Sequence, residues 1–573
     1  MESRAAAHVF AEIATLRQLR GEDDATTAAC LAMARELAAA GQVPLAMRAH
    51  DDAVVAAVLG ELLATGESAQ LDLLREATPE GLQELLRVPG LGPVTVHRLH
   101  AGLGVTTLQE LEAAVRDGRV AALPRFGART AERVRKGIAQ LRATGAPVLL
   151  PHADAEATRL ARALASLPGV AQVLVAGAVR RRVETITELH LVVACEAHPT
   201  AVASSVATMR GVTQAHGAAT RTVTLHFDDA TLAHVHCVPV TQAVVASWRA
   251  TGSDGHVQRV VTRLERAGFR LVGDDVRDAR GGVVPIADEA ALYALAGLAD
   301  VAPELREDAG EVDAAAHDAL PTLLEASRLR GVLHCHSAWS DGGATIEALA
   351  RAAAARGWEY IGVSDHSRSA LNAGGLSADD VRRQHDEIDA VNARFAGRVR
   401  VLKGIEADIL PCGRVDYDAA VLDRFDYVIA SIHTRFGMNA VQMTDRVCKA
   451  LEDPHVTILG HPTGRLLLTR EPFAIDLPVV LARAAALGVA VELNADPHRL
   501  DLDWRWCRAA KEAGAMIALG PDAHSLAGLD NVMLGTSIAR KGWLTADDVL
   551  NTRDADAVLA FARRRRAAAL QLA

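Results

Sequence analysis

Aromatic side chains are scarce in this 573-residue chain: nine Phe, four Tyr and six Trp, 3% of positions. That excludes a core built mainly on ring packing. Alanine and the aliphatics must fill it, since half the residues are hydrophobic, and many close-packed helices are expected. Cysteine is nearly as thin. The seven (Cys30, Cys195, Cys237, Cys335, Cys412, Cys448 and Cys507) form no CxxC pair and keep no regular spacing, which excludes a disulfide framework and a thiolate zinc site. No apolar run reaches the ~18 residues of a membrane span, and the opening MESRAAAHVFAEIATLRQLRGEDD carries no charged-then-apolar leader. The expectation is a chain in a reducing cytoplasm, neither exported nor held in a membrane. A basic excess is lacking too. The formal net charge of −10 excludes a surface that attracts polyanions everywhere, though not a local basic patch.

What is present divides the chain. Its length exceeds one hydrophobic core, so several domains are expected. Residues 1–80 read as helical, with apolar spacing at Val9, Phe10, Ile13, Leu16 and Leu19 and again over Ala53–Leu63. Residues 81–145 carry two glycine turns followed by helix-like stretches, Leu85–Pro93 (LLRVPGLGP) and Leu123–Thr130 (LPRFGART). Residues 146–240 turn strand-rich, and 241–315 mix helix with short strands. A connecting segment over Asp313–Arg330 leads to 331–573.

From Gly331 one rhythm repeats seven times, a short apolar strand and then a helix. The strands are expected to end at His334-Cys335-His336, His366, Glu406, His433, His461, Glu492–Asn494 and Asp522-Ala523-His524. Alternation at this spacing predicts parallel strands closed into a barrel, with the site at their C-terminal ends. His334 and His336, two apart, are expected to share one face of a strand, with Cys335 turned away. Asp341 follows in a loop. A single histidine is usually a surface or core residue, but nine candidate ligands recurring at successive strand ends are not explained by packing. His334, His336, Asp341, His366, Glu406, His433, His461, Asp522 and His524 therefore form a candidate catalytic metal set. Imidazole and carboxylate without thiolate suit zinc, manganese or iron, and nine ligands exceed what one ion needs, so two or three divalent ions are implied. Glu492 either supports a ligand histidine or lines the pocket. Arg465, Arg470 and Arg499 either hold substrate phosphates or are solvated.

The segments LHCHSAWSDG, SDHS, KGIEADIL, ASIH, GHPTGR, VELNADPHRLDL and DAHS resemble the polymerase and histidinol phosphatase (PHP) domain family. The resemblance implies a distorted seven-stranded (βα)7 barrel that hydrolyses phosphoesters. His334, His336, Glu406 and Asp522 would hold one ion, Glu406 would bridge to a second near His433 and His461, and Asp341, His366 and His524 would hold a third.

The two glycine turns look like helix-hairpin-helix motifs, in which backbone N–H groups meet phosphates without reading bases. Over residues 81–141 nine Arg/Lys stand against five Asp/Glu, a local positive excess in an acidic chain. Gly90, Gly92, Gly127, Arg129, Arg133, Arg135 and Lys136 are the candidate DNA-contacting residues, and sequence-independent contact with ends, gaps or single-stranded regions is expected.

With ELLRVPGLGP, GVTTLQELEAA, AGAVRRRVETITELHLVV, TGSDGH and LYALAGLADVAPELRE, the order of segments resembles the bacterial family X DNA polymerases with a C-terminal PHP domain. That implies an α-helical hairpin region, an α+β nucleotidyltransferase-like palm, a thumb and the PHP barrel, placed at the nucleoid. The first forty residues and the N-terminal hairpin expected near Ala46–Leu63 match poorly. The family's palm uses three aspartates to hold two magnesium ions. Here Glu188, His190 and His236 stand at those positions, and the family's Gly-Ser phosphate pair reads Gly177-Ala178. Imidazole suits magnesium badly. The palm is therefore expected either to hold DNA without catalysis, or to use manganese or magnesium with a deoxynucleoside triphosphate on altered ligands. Four functions follow, in order: a 3′–5′ exonuclease or 3′-end phosphoesterase in repair, a polymerase with non-standard ligands, a non-catalytic DNA-binding scaffold, and a small-molecule phosphatase.

Overall fold

The computed structural model describes residues 3–40, 50–66, 68–370 and 373–572. Residues 46–49 of the hairpin expected near Ala46–Leu63 lie outside these. Helix α1 (Ser3–Leu19) buries Phe10, Ile13, Leu16 and Leu19, and packs on α2 (Ala25–Ala39). Helices α3 (Ala53–Thr65) and α4 (Ala69–Glu76) follow. The first glycine turn joins α5 (Glu80–Leu85) to α6 (Pro93–Leu103), whose leading proline sits where a helix loses no hydrogen bond. Helix α7 (Leu108–Arg116) opens on a Thr107/Glu110 capping box. The second turn joins α8 (Arg119–Ala122) to α9 (Ala128–Ala143). The two hairpins lie against each other through glycine: a Cβ on Gly137 of α9 would come within 2.2 Å of the Pro89 carbonyl.

The next strands are β1 (Val148–Leu149), β2 (Val170–Ala176), β3 (Thr185–Ile186), β4 (Leu189–Cys195), β5 (Val212–His216), β6 (Thr222–Phe227) and β7 (Leu232–Pro239). Five of them form a sheet in the order β2-β4-β7-β6-β5, in which only β4 and β7 run parallel. Strand alternation sorts its two faces. Leu191, Val193, Val235 and Cys237 join one apolar core with the N-terminal helices. On the other face Val192, Ala194 and Val238 pack under the helix Ala243–Thr251, while His190, His234 and His236 stay half-buried.

Three short antiparallel strands, β8 (Arg270–Val272), β9 (Asp275–Arg277) and β10 (Val283–Val284), then combine with helices around Trp248, Leu292 and Tyr293. The segment read as a connector from Asp313 begins inside a helix, Glu311–Ala316. Val312 and Ala315, three apart on one helix face, are buried in this core.

The last seven strands are β11 (Gly331–Val332), β12 (Tyr360–Val363), β13 (Arg400–Asp408), β14 (Tyr427–Ser431), β15 (Val456–Leu459), β16 (Ala490–Asn494) and β17 (Ile517–Gly520). All pair in parallel in chain order, and a bridge between Cys335 and Ala523 brings the two ends together. The strand-helix rhythm weakens between β13 and β14, where the only helix is Ala419–Leu422, four residues long. Period-two alternation fills the barrel in layers. Leu333, Tyr360, Leu402, Tyr427, Ile429, Ile458, Ala490 and Ala518 form the lower interior, closed below by Val558, Leu559 and Ala562 of the final helix. The same alternation carried further along the strands places Glu406 and Asp408 above Leu402, His433 above Ile429, and Glu492 above Ala490.

Loops at this upper end of the barrel meet the front half. The Arg435 backbone N–H donates to Asp72 Oδ2 of α4 at 2.8 Å, and His498 Nε2 lies 3.6 Å from Glu84 Oε2 of α5. Arg505 reaches Glu184 at 3.0 Å, and Lys541 reaches Glu307 at 2.5 Å.

Candidate metal centre

All nine residues read from the sequence converge at the upper end of the barrel. Glu406 is the hub. Its Oε1 lies 2.9 Å from His461 Nε2, 3.2 Å from His433 Nε2 and 3.4 Å from His334 Nε2, and its Oε2 lies 3.1 Å from His366 Nδ1. Asp522 Oδ1 faces His336 Nε2 at 3.2 Å and His334 Nε2 at 3.5 Å. Asp341 Oδ2 faces His524 Nε2 at 3.4 Å and His366 Nε2 at 3.5 Å. Three ligand groupings result: His334, His336 and Asp522; His366, Glu406 and His433; and His336, Asp341, His366 and His524.

The donor set fits divalent cations. Buried imidazole nitrogens at the cluster lack a hydrogen-bond partner: His334 Nε2, both nitrogens of His336 and His366 Nδ1. Such orphaned groups are costly in a dry interior unless something coordinates them. Burial, with His524 and His366 alongside, depresses His336 to about 4, so its ring is neutral near pH 7 and one ring nitrogen has its lone pair free to coordinate. Burial alone would raise the Glu406 carboxyl, but His433, His334 and His366 hold it well below its ordinary value.

One expectation is corrected. β11 ends at Val332, and His334 has φ +71°, a left-handed conformation outside any strand. The two histidines therefore do not share a strand face. The chain turns sharply at His334 and delivers both rings inward, with Cys335 fully buried among the apolar residues outside the barrel. Glu492, left open between two roles, stands 2.5 Å from His334 Nδ1 and accepts the His461 backbone N–H at 2.6 Å. Arg465 is buried rather than solvated, bound to Asp503 and to the carbonyls of Arg499 and Leu500. Arg470 donates to the Gly464 carbonyl and lies over Phe436. Of the three arginines, Arg499 reaches the cluster, its Nε 3.4 Å from Asp522 Oδ2.

Two supporting carboxylates stand behind the ligands, and the sequence pattern signals them weakly or not at all. Asp408 Oδ1 lies 2.6 Å from His433 Nδ1 and shares the face of Glu406 two residues earlier, a signal period two contains. Asp365 accepts from Ser337, Ser340 and Gln384, tying down the loop that carries Asp341, and nothing in its spacing marks it.

In the front half, Gly90 takes φ +85° in the first turn, and a Cβ there would lie 3.7 Å from Arg133 Cγ, so Arg133 of the second hairpin flanks the first. Gly92 and Gly127 sit immediately before α6 and α9. Arg129 and Arg133 are exposed, whereas Arg135 and Lys136 are engaged with Glu132 at 2.8 and 3.8 Å. On the palm sheet, Gly177, Ala178, Glu188, His190 and His236 line a cavity of about 580 Å³. The structure adds a residue the sequence reading did not single out. His234 pairs in register with His190, and Glu188 holds both rings, at 3.0 Å from His190 Nε2 and 3.1 Å from His234 Nε2.

Family models match here in two places: a SAM-like helix-hairpin-helix tandem over residues 82–140 and the PHP domain over residues 333–461. The chain is 34% identical over 510 residues to the DNA polymerase/3′–5′ exonuclease PolX of Bacillus subtilis (strain 168), covering 88% of this chain and 89% of that one. A probable phosphatase of Thermoanaerobacter sp. (strain X514) is 28% identical over 218 residues, which cover 36% of this chain and 84% of that one. Among solved structures, the ternary complex of Leishmania infantum polymerase beta matches 40% of this chain and 98% of that one, at 15% identity; its TM-score of 0.26 gives the likeness no weight. The similarity to PolX covers most of both chains, and the chain belongs to the bacterial family X DNA polymerases that carry a C-terminal PHP domain.

Proposed function

We propose that this chain trims DNA ends in repair, as a metal-dependent 3′–5′ exonuclease or 3′-end phosphoesterase whose chemistry is in the barrel. The convergence of nine ligand residues with imidazole nitrogens left open to a cation carries this reading. His334, His336 and Asp522 would hold one ion with Glu406, Glu406 a second with His433 and His461, and Asp341, His366 and His524 a third. When bound, such ions supply Lewis acidity, acidifying a water and neutralising phosphate charge, and manganese, zinc or iron suits these donors. Glu492 and Asp408 fix the rings of His334 and His433 through their far nitrogens. Arg499, against Asp522, is placed to take a phosphate oxygen.

The hairpins would bring DNA to this site by its backbone. Their presence favours a polynucleotide over the small phosphoesters that a barrel alone would serve. In the palm, Glu188, His190 and His236 would occupy the positions of the family's aspartates, and Gly177-Ala178 those of its phosphate-binding pair. One carboxylate among imidazoles does not fit two magnesium ions, so the palm is read as a holder of DNA.

Digestion of end-labelled DNA with manganese tests the reading. Wild type is expected to shorten the labelled strand, and the full chain carrying His334→Ala and His336→Ala to lose that activity. A double variant that digests as fast as wild type ends the proposal.

A further inference from the structure

The family's palm implies magnesium on carboxylates, and the residues at this palm disagree with it. Glu188 is the sole carboxylate in a group it forms with two imidazoles, His190 and His234, whose candidate ligand atoms all lie within 4.8 Å of one another. Two features set this arrangement apart from a chance surface cluster. The backbone register places His190 directly opposite His234 on adjacent parallel strands, with ring centroids 4.9 Å apart, so the juxtaposition is built into the sheet. The far nitrogen of His234 is also anchored: Nδ1 lies 3.1 Å from the Thr224 hydroxyl, which leaves Nε2 turned toward Glu188. A hydrogen bond at the far nitrogen is what commonly orients a ligating histidine, and here the Thr224 hydroxyl supplies it. His236, similarly anchored on Thr222, stacks 6.1 Å from His190 on the cavity side.

We infer that Glu188, His190 and His234 form a separate binding site for one borderline divalent ion of the zinc and cobalt class, distinct from the barrel cluster. Two nitrogens and one oxygen favour such ions over magnesium, which holds to six hard oxygens in octahedral geometry. Three protein ligands leave a fourth position open. Side-chain exposures of 24–43% keep that position within reach of solvent and of anions entering the neighbouring cavity. The site stands whether or not the barrel is a nuclease, because none of its residues belongs to the barrel.

Cobalt(II) is the probe. It is titrated into the full chain carrying His334→Ala, His336→Ala, His366→Ala and His433→Ala, which removes at least one ligand from each of the three ions proposed for the barrel, and visible d–d absorption and bound metal per chain are read. One tightly bound equivalent is expected, displaced by zinc and not by millimolar magnesium. Adding His190→Asn and His234→Asn is expected to weaken it by about 100-fold, and adding Thr224→Val alone by about tenfold, on the usual effect of losing a ligand's anchor. The background chain needs no palm substitution to decide the matter: if it binds no cobalt, or releases it to magnesium, the inference fails. It also fails if both palm variants bind cobalt as the background does.

Discussion

The carboxylate of Glu492 stands 2.5 Å from Nδ1 of His334, on the side of the ring away from the cluster, and so fixes which way Nε2 points. Gly520 of β17 makes room for it, since a Cβ there would lie 1.9 Å from Glu492 Oε1. Removing the carboxylate frees the ring while leaving every candidate ligand in place. Glu492→Ala is expected to weaken metal binding in the barrel by about 10–100-fold, read by metal titration of the full chain. Gly520→Ala, which displaces the same carboxylate, should act in the same direction. An unchanged affinity in both would show that His334 is oriented by something else.

Metal removal should cost the barrel stability. Glu406 and Asp522 are almost fully buried among imidazoles, and ions held there bind the folded state alone. At free metal about 1,000 times Kd the linkage is worth about 4 kcal/mol, on the order of 10 °C in the melting of a domain this size. Calorimetry with and without a chelator checks it. The barrel transition is expected to fall, and the same chelation of the His334→Ala, His336→Ala chain to move it far less.

Much of this site is legible in the sequence because its chemistry repeats. Six strand ends and one loop delivering His, Glu or Asp leave a spaced signature that survives without knowledge of packing, and all nine of those residues meet. The local geometry at His334 did not show, since a left-handed residue two positions past a two-residue strand looks like strand in any pattern of alternation. Glu492 and Arg465 stayed ambiguous for another reason. Their partners, His334 and Asp503, lie 158 and 38 residues away in the chain, and which of the available charges each one meets is decided by the fold. His234 was passed over although it lies two residues before His236, because its relation to His190 depends on the β4–β7 register.

The hairpins make a prediction about salt. Arg129 and Arg133 are exposed, and Arg133 lies beside the first turn, whereas Arg135 and Lys136 already face Glu132. Arg129→Ala and Arg133→Ala are each expected to weaken DNA binding uniformly across sequences and to reduce the slope of log affinity against log salt by about 1. Lys136→Ala should change the slope less, because its charge is partly met within the protein. Fluorescence anisotropy with labelled duplexes over a salt series separates these outcomes, and slopes equal to wild type in all three variants would remove the hairpin face as the contact.

The joint between hairpins and barrel should respond to alkali through His498. Burial opposes its charge, but Asp496 and Glu84 outweigh burial and raise it to about 10. An unfolded histidine titrates near ~6.5, so the folded state holds a proton that the unfolded state has lost between those values. The sign follows: the contribution is fully present below about pH 6.5 and is lost as pH rises through about 10, at on the order of 1.4 kcal/mol per pH unit. His498→Asn is expected to be the less stable protein near pH 7 and to lose little more between about pH 7 and 9.5, so that the gap between the two proteins narrows with pH. Hydrogen exchange at Glu80–Leu85 and at the loop bearing His498 locates the effect, because Glu84 joins the two segments. A gap that stays constant over that range would mean the ring is held neutral and Glu84 is not its counter-charge.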